Sequence, residues 1–237
     1  MANILLVDDA AALAELFGRA IETELGHAVV TVVSLADVEG ALRDSNTFDL
    51  ALVDLSFPQE RGTGLDALAA VHRHSSRTTL AIITQGDEWV AALLRDAWDL
   101  LPIATVISKS APLAYQLGAI TQVLQTGTAP PDPAIRPLLP ETRDPRRTAD
   151  QFGRLVQHAG HAKLWTSLRN VRDPSYKAIS DDSGLKLNTL KNYRAQLVDE
   201  LRVHGLRDPS LRDMQQFAIR CWPFLQPAID HVLQSKR

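Results

Sequence analysis

Short apolar runs of strand character recur along the first half of the chain, at 3–7, 28–33, 48–53, 79–84 and 103–107. The stretches between them carry apolar residues at helical spacing. Leu13, Leu16, Phe17, Ala20, Ile21 and Leu25 keep one face at a period near 3.6, and Gly26 stands where a helix C-terminal glycine is expected. Runs without polar alternation, such as Ala51, Leu52 and Val53, suit a parallel sheet covered on both faces. The pattern predicts a doubly wound α/β domain with a five-stranded parallel sheet over residues 1–125.

The pattern then changes. Pro130, Pro131, Pro133, Pro137, Pro140 and Pro145 fall in a stretch without sustained period, so residues 126–146 read as a semi-rigid, extended linker outside either core. Residues 147–237 read as a small all-α domain, with helices near 148–160, 161–170, 174–183, 189–203, 209–221 and 227–235. Asp173-Pro174 and Asp208-Pro209 each offer an N-cap acid before an N1 proline, Asn188 can cap the next helix, and Gly205 follows that helix.

Charge sharpens this division. Residues 1–125 carry 7 Lys and Arg against 16 Asp and Glu, a net of −9, whereas the remainder carries 18 against 12, a net of +6. Only the second half is suited to a polyanion. The N-terminus lacks a basic region before its apolar run, and no stretch reaches the roughly 18 apolar residues of a membrane span. The one cysteine, Cys221, reads as a buried helix residue and agrees with a reducing, cytoplasmic setting, away from a membrane.

In an open doubly wound sheet the ligand site lies beyond the carboxyl ends of the strands. Asp8 and Asp9 end the first predicted strand, Asp54 the third and Thr84 the fourth, and Lys109 follows the fifth. Three converging carboxylates repel one another unless a hard cation neutralises them, and an all-oxygen cluster suits Mg²⁺. One carboxylate can then act as a nucleophile toward phosphorus, with Lys109 balancing charge on the phosphoryl oxygens. No Gly-x-Gly-x-x-Gly follows the first strand, which argues against a Rossmann-type nucleotide enzyme; the reading is not an enzyme.

Residues 1–125 resemble the receiver domains of two-component response regulators, whose fold is flavodoxin-like. The resemblance rests on Ile4-Leu5-Leu6-Val7-Asp8-Asp9, Leu52-Val53-Asp54-Leu55-Ser56-Phe57-Pro58, Gly64-Leu65, Ile82-Ile83-Thr84 and Val106-Ile107-Ser108-Lys109. It implies Asp54 as phosphoacceptor, Asp9 as a direct Mg²⁺ ligand, Asp8 as a ligand largely through water, and the Ser56 carbonyl as another. It also implies Thr84 and Lys109 at the phosphoryl group and a sensor histidine kinase as phosphodonor. Three positions depart from the family pattern: Ser110 replaces the proline usual after the lysine, Val106 an aromatic switch residue, and Gln85 a small residue after the threonine. A cis bond at Lys109-Ser110 would lack the discount that proline gives, so the sequence points to a different local loop.

In the second half, the stretch from Tyr176 to Leu201 places two helices about a short turn at Gly184, the arrangement of a helix-turn-helix. Leu190, Leu197, Val198 and Leu201 form an inward face of the second helix, leaving Thr189, Lys191, Asn192, Ala195 and Gln196 toward the outside. The stretch is similar to effector domains of the LuxR/NarL group through Ile179, Gly184, Thr189-Leu190-Lys191 and Leu201-Arg202-Val203. That similarity implies duplex DNA as partner, a homodimer, base-facing Lys191, Asn192 and Ala195, and backbone-facing Tyr193. Lys186, Asn188, Thr189 and Arg194 complete the candidate DNA-binding set, Lys186 and Arg194 being equally readable as surface charges. His158 and His161 read as helix surface, and Trp165, Trp222 and Phe224 as core or dimer packing. Two other readings stand beside the phosphorylated transcriptional regulator: a phosphorylation-independent receiver, and a receiver whose helical output binds protein or RNA.

Overall fold

The computed structural model describes residues 1–44, 47–87 and 90–235. They form two compact units, Met1–Arg143 and Asp144–Arg237.

In the first unit strands β1 (Asn3–Val7), β2 (Ala28–Val32), β3 (Leu50–Val53), β4 (Thr79–Thr84) and β5 (Ile103–Ser108) alternate with helices α1 (Ala11–Leu25), α2 (Leu35–Asp44), α3 (Gly64–His74), α4 (Ala91–Leu100) and α5 (Leu113–Thr126). All strand pairings are parallel, in the order β2-β1-β3-β4-β5. This is the flavodoxin-like doubly wound sheet, and its chain order reverses between β1 and β3. Strand β3 is buried along its length and β4 at every position but Thr79, which suits their largely apolar sequences. On one side of the sheet Ile4, Leu6, Leu50, Leu52, Ala81 and Ile83 pack with Ala14 and Ile21 of α1 and Ile120 of α5. Gly26 ends α1 in the left-handed conformation at φ 67°, as its place in the sequence predicts.

The proline-rich segment is not a free linker. Residues 129–132 run beside β5: the N–H groups of Ala129 and Asp132 donate to the carbonyls of Ala104 and Val106 at 3.2 and 2.8 Å, and Thr105 Oγ1 donates to the Pro130 carbonyl. Ile135 and Leu139 are buried around a short 3-10 turn, Arg136–Leu138. Arg143 donates to the carbonyls of Leu101 and Ile103 at 3.0 and 2.8 Å, with its guanidinium over the Trp98 ring. An extended chain beside an edge strand still has N–H groups to place, and at 129 and 132, where no proline stands, those groups satisfy β5. The first unit therefore runs to Arg143, not to 125.

The second unit is all-helical. A 3-10 helix, Ala149–Leu155, occupies most of the first expected α-helix and is followed by α6 (Ala159–Asn170), α7 (Tyr176–Ser183), α8 (Leu187–Val203), α9 (Leu211–Arg220) and α10 (Trp222–Gln234). Its core gathers Phe152, Trp165, Phe217 and Phe224, with Trp165 Nε1 donating to the Leu155 carbonyl at 2.8 Å. Cys221 is buried at the junction of α9 and α10. Two capping expectations are corrected. Ser175 and Ser210, rather than Asp173 and Asp208, cap α7 and α9, because a serine hydroxyl there reaches the N3 amide, and Asp213 completes a capping box with Ser210. Helix α8 begins at Leu187, ahead of Asn188, with no side-chain cap. Among the described residues, no helix is long and apolar enough to cross a membrane.

Candidate functional site

Register alone brings the acidic residues together. Val7 of β1 pairs with Val53 of β3, so Asp8 and Asp54 leave adjacent strand ends at the same height, and the Asp54 N–H donates to the Val7 carbonyl at 2.8 Å. Carboxylate oxygens of Asp8, Asp9 and Asp54 lie within 4.8 Å of one another. Thr84 and Ser108 pair at the ends of β4 and β5, and the Lys109 N–H donates to the Thr84 carbonyl at 2.8 Å. This delivers the Lys109 ammonium 2.6 Å from Asp8 Oδ2 and 2.8 Å from Asp54 Oδ2. Asp8, Asp9, Asp54 and Lys109 thus stand together, with the Thr84 carbonyl bonded to the Lys109 backbone beside them. Ser56 lies in the loop after β3, and its backbone N–H is directed to Asp54.

Asp8 Oδ1 accepts from the Ala10 N–H and Asp54 Oδ1 from the Leu55 N–H, which fixes both carboxylates. Burial pushes the Asp54 carboxyl above its ordinary value, with Asp8 adding to the effect and Lys109 opposing it. Burial alone would lower Lys109, but hydrogen bonds to Asp54 and Asp8 together outweigh it and hold the ammonium above its ordinary range. Three carboxylates against one ammonium leave the pocket two negative charges in excess when all are ionised. The donor set is oxygen only, clustered at one point and adjacent to a fixed lysine, so it fits a hard divalent cation such as Mg²⁺.

Two further residues build the pocket, Gly64, which the sequence marks only through the family resemblance, and Gln116, which it does not mark. A Cβ at Gly64 would lie 1.8 Å from the Asp54 carbonyl oxygen and 2.7 Å from Leu55 Cα, so only glycine lets α3 start against the end of β3. Gln116 of α5, buried, donates from Nε2 to the carbonyls of Lys109 and Ala111 at 3.2 and 2.7 Å. It ties down the loop in which Ser110 stands for the usual proline; among the described residues no peptide bond is cis. Gln85 is exposed, and its Oε1 accepts from Ser110 Oγ at 3.0 Å. Val106 is fully buried, its carbonyl taken by Asp132.

In the second unit, α7, a left-handed Gly184 and α8 form the expected helix-turn-helix. Leu190, Leu197 and Leu201 are buried, while Lys186, Asn188, Lys191, Asn192 and Ala195 are exposed and Thr189 is half-buried. Two members of the candidate set are committed inward. Tyr193 packs on the rings of His158 and His161, each 4.9 Å away between centroids. Arg194 Nε donates to the Pro209 carbonyl at 2.9 Å. The histidines are not helix surface: His161 is buried, and His158 Nδ1 caps α6 by accepting from the N–H groups of Gly160 and His161. A polar ring at a helix start is drawn to those unpaired donors.

Residues 4–102 match the family of the response regulator receiver domain. No curated protein matches the chain. Among solved structures, a LuxR-family two-component response regulator from Aurantimonas sp. SI85-9A1 is similar at 24% identity and TM-score 0.47, over 58% of this chain and 94% of that one. The isolated REC domain of RcsB from Salmonella enterica serovar Typhimurium is similar at 18% identity and TM-score 0.49, over 59% and 99%. A LuxR family DNA-binding response regulator from Silicibacter pomeroyi is similar at 24% identity and TM-score 0.42, over 56% and 98%. With its family match over residues 4–102, its β2-β1-β3-β4-β5 sheet and its strand-end cluster of Asp8, Asp9, Asp54 and Lys109, the chain carries a response regulator receiver domain.

Proposed function

We propose that the chain is a response regulator that accepts a phosphoryl group on Asp54, with Mg²⁺ held by Asp8, Asp9, Asp54 and the Ser56 carbonyl, and that acts on duplex DNA through α8. The observation that carries this reading is the Lys109 ammonium fixed between Asp8 and Asp54 beside a third carboxylate. The bound cation supplies charge neutralisation for the phosphoryl oxygens and lowers the protonation tendency that burial gives Asp54. An Asp54 carboxylate oxygen attacks phosphorus of an acyl phosphate or a phosphohistidine. A P–O bond to Asp54 forms as the donor's P–O or P–N bond breaks, the departing acid or imidazole takes the electron pair, and nothing is oxidised or reduced. Lys109 stays within reach of the transferred group, and Thr84, buried at the end of β4, offers its hydroxyl to a phosphoryl oxygen. A sensor histidine kinase fits the phosphohistidine donor, and a homodimer would present two copies of α8 to a two-fold site.

With Mg²⁺ and acetyl phosphate, the full chain gains one phosphoryl group by intact mass. Asp54→Asn abolishes the gain, and so does removal of Mg²⁺ by chelation. Equal labelling of the Asn variant would remove Asp54 from this role, and no labelling of either protein would favour a phosphorylation-independent receiver.

A further inference from the structure

Helix α8 turns Leu190, Leu197 and Leu201 into the core of the second unit. At about 100° per residue the helix then carries Asn188, Asn192, Ala195 and Asp199 along the opposite stripe. All four are exposed, and Asp199 accepts from the Arg202 guanidinium at 2.8 Å. Asn188 and Asn192 therefore stand on one face, about 6 Å apart along the helix axis. Beside them Leu187 opens the helix with its side chain 46% exposed; among the described residues, it and Leu233 of α10 are the large apolar side chains that the second unit leaves in solvent. The helix holds three cations, and two are engaged: Arg194 donates to the Pro209 carbonyl and Arg202 to Asp199. The third, Lys191, lies with its ammonium 5.8 Å from the centre of the Tyr176 ring.

We infer that α8 reads A·T base pairs in the major groove, with Asn188 and Asn192 each hydrogen-bonding an adenine and Leu187 set against a thymine methyl group. The inference rests on the DNA-binding reading above and adds to it the base pairs that are read. In the major groove adenine presents N7 as an acceptor and its 6-amino group as a donor, which one amide side chain meets with two bonds. Thymine presents a methyl group, which takes an apolar contact, whereas the two acceptors of guanine call for arginine or lysine. Two amides and two apolar side chains, Leu187 and Ala195, against the single lysine Lys191 thus match A·T pairs with room for one guanine. The N-terminal residues of a groove-reading helix are the ones that meet base edges, and Leu187, Asn188, Lys191 and Asn192 all lie in the first two turns of α8. A thymine methyl also removes from water the leucine surface that the free protein leaves there.

The full chain is offered a random duplex library at low salt, and the retained duplexes are sequenced; A·T pairs should fill at least two neighbouring positions. In the retained site each thymine is then replaced in turn by deoxyuridine, which keeps the pairing and loses only the methyl group, and each adenine by 7-deazaadenine, which loses N7. Both groups lie in the major groove, so a preference exerted through minor-groove width responds to neither replacement. By fluorescence anisotropy one deoxyuridine should weaken binding about fourfold, the worth of one buried carbon, and Leu187→Ala should be indifferent to that same replacement. One 7-deazaadenine should weaken binding about fivefold, the worth of one hydrogen bond, and Asn188→Ala or Asn192→Ala should be indifferent to it. All three side chains are exposed, so the variants keep the core. A retained site of G·C pairs, a parent indifferent to either replacement, or variants as sensitive as the parent would overturn the inference and leave the DNA-binding reading standing. Failure to retain any duplex overturns the DNA-binding reading, and the inference with it.

Discussion

Gly64 sets how closely α3 approaches the end of β3 at Asp54. Its N–H donates to the Leu55 carbonyl at 3.2 Å, and the Thr63–Asp66 capping box starts the helix there. Gly64→Ala puts a methyl into the Asp54 backbone, so β3 or α3 must move. The expected loss is about 1–3 kcal/mol by urea denaturation, the usual range for overpacking, together with slower acetyl phosphate labelling. An Ala variant as stable and as quickly labelled as the parent would show that the contact yields freely. The pocket residues themselves were legible in the sequence, because a buried parallel strand announces its end by the first acid, threonine or lysine after an apolar run. Gly64 was legible only through family resemblance. Gln116 was not legible at all, since one amide in an amphipathic helix looks like any surface glutamine until the loop it serves is in place. Arg194 teaches the converse. Its charge and its place in α8 suggested a phosphate contact, yet its guanidinium is bonded to the Pro209 carbonyl. Arg194→Ala is therefore expected to destabilise the second unit by about 0.5–1.5 kcal/mol. It should leave the salt dependence of DNA binding unchanged, and a slope flattened by about one unit would return the residue to the phosphate-contacting set.

Helices α6 and α8 meet through an imidazole pair packed on Tyr193. His158 Nδ1 accepts two backbone N–H bonds at the start of α6. His161 is buried, its Nε2 lies 3.4 Å from Gln196 Oε1, and among the described residues its Nδ1 has no hydrogen-bond partner. Burial, with His158 adding to it, lowers the His161 pKa below the ordinary 6.5, against the opposing bond to Gln196. The unfolded chain then binds the proton first as pH falls. Stability from this group is complete above about 6.5 and is lost as pH drops from there toward the folded-state value, at about 1.4 kcal/mol per unit of depression. A histidine-resolved NMR titration should find His161 titrating below 6.5, with Tyr193 shifts following it; a value at or above 6.5 would refute the argument. The elements were otherwise legible wherever a period was sustained: β1 and β4 begin and end as their apolar runs do. Residues 129–143 were not legible, because Ala129, Ile135 and Leu139 are buried at intervals that match neither strand nor helix, and prolines hide the two donors that matter.

Across the whole molecule the charge division survives the shift in boundary. Residues 1–143 carry 9 Lys and Arg against 18 Asp and Glu, and residues 144–237 carry 16 against 10, so the nets remain −9 and +6. The proposed phosphorylation would make the first unit more negative still, so the proposed hold on DNA would fall to the second unit and to the cations its helices leave exposed. Each phosphate neutralised by such a cation contributes a log–log salt slope near −0.9. Affinity of the full chain for a preferred duplex site should therefore fall steeply between 50 and 200 mM salt, as it does generally for proteins making several phosphate contacts. Lys191 and Asn192 are exposed on α8, the Lys191 ammonium 5.8 Å from the centre of the Tyr176 ring, and should act on base edges. Replacing either with Ala should cost about 1–3 kcal/mol on that site and relax sequence preference, without a uniform loss on all sequences. Fluorescence anisotropy at a series of salt concentrations reads both quantities at once. If binding is absent at low salt, or if Lys191→Ala changes neither affinity nor preference, α8 is not a DNA-reading helix. Its exposed face then belongs to a protein or RNA partner, and the positive charge of the second unit serves that contact instead.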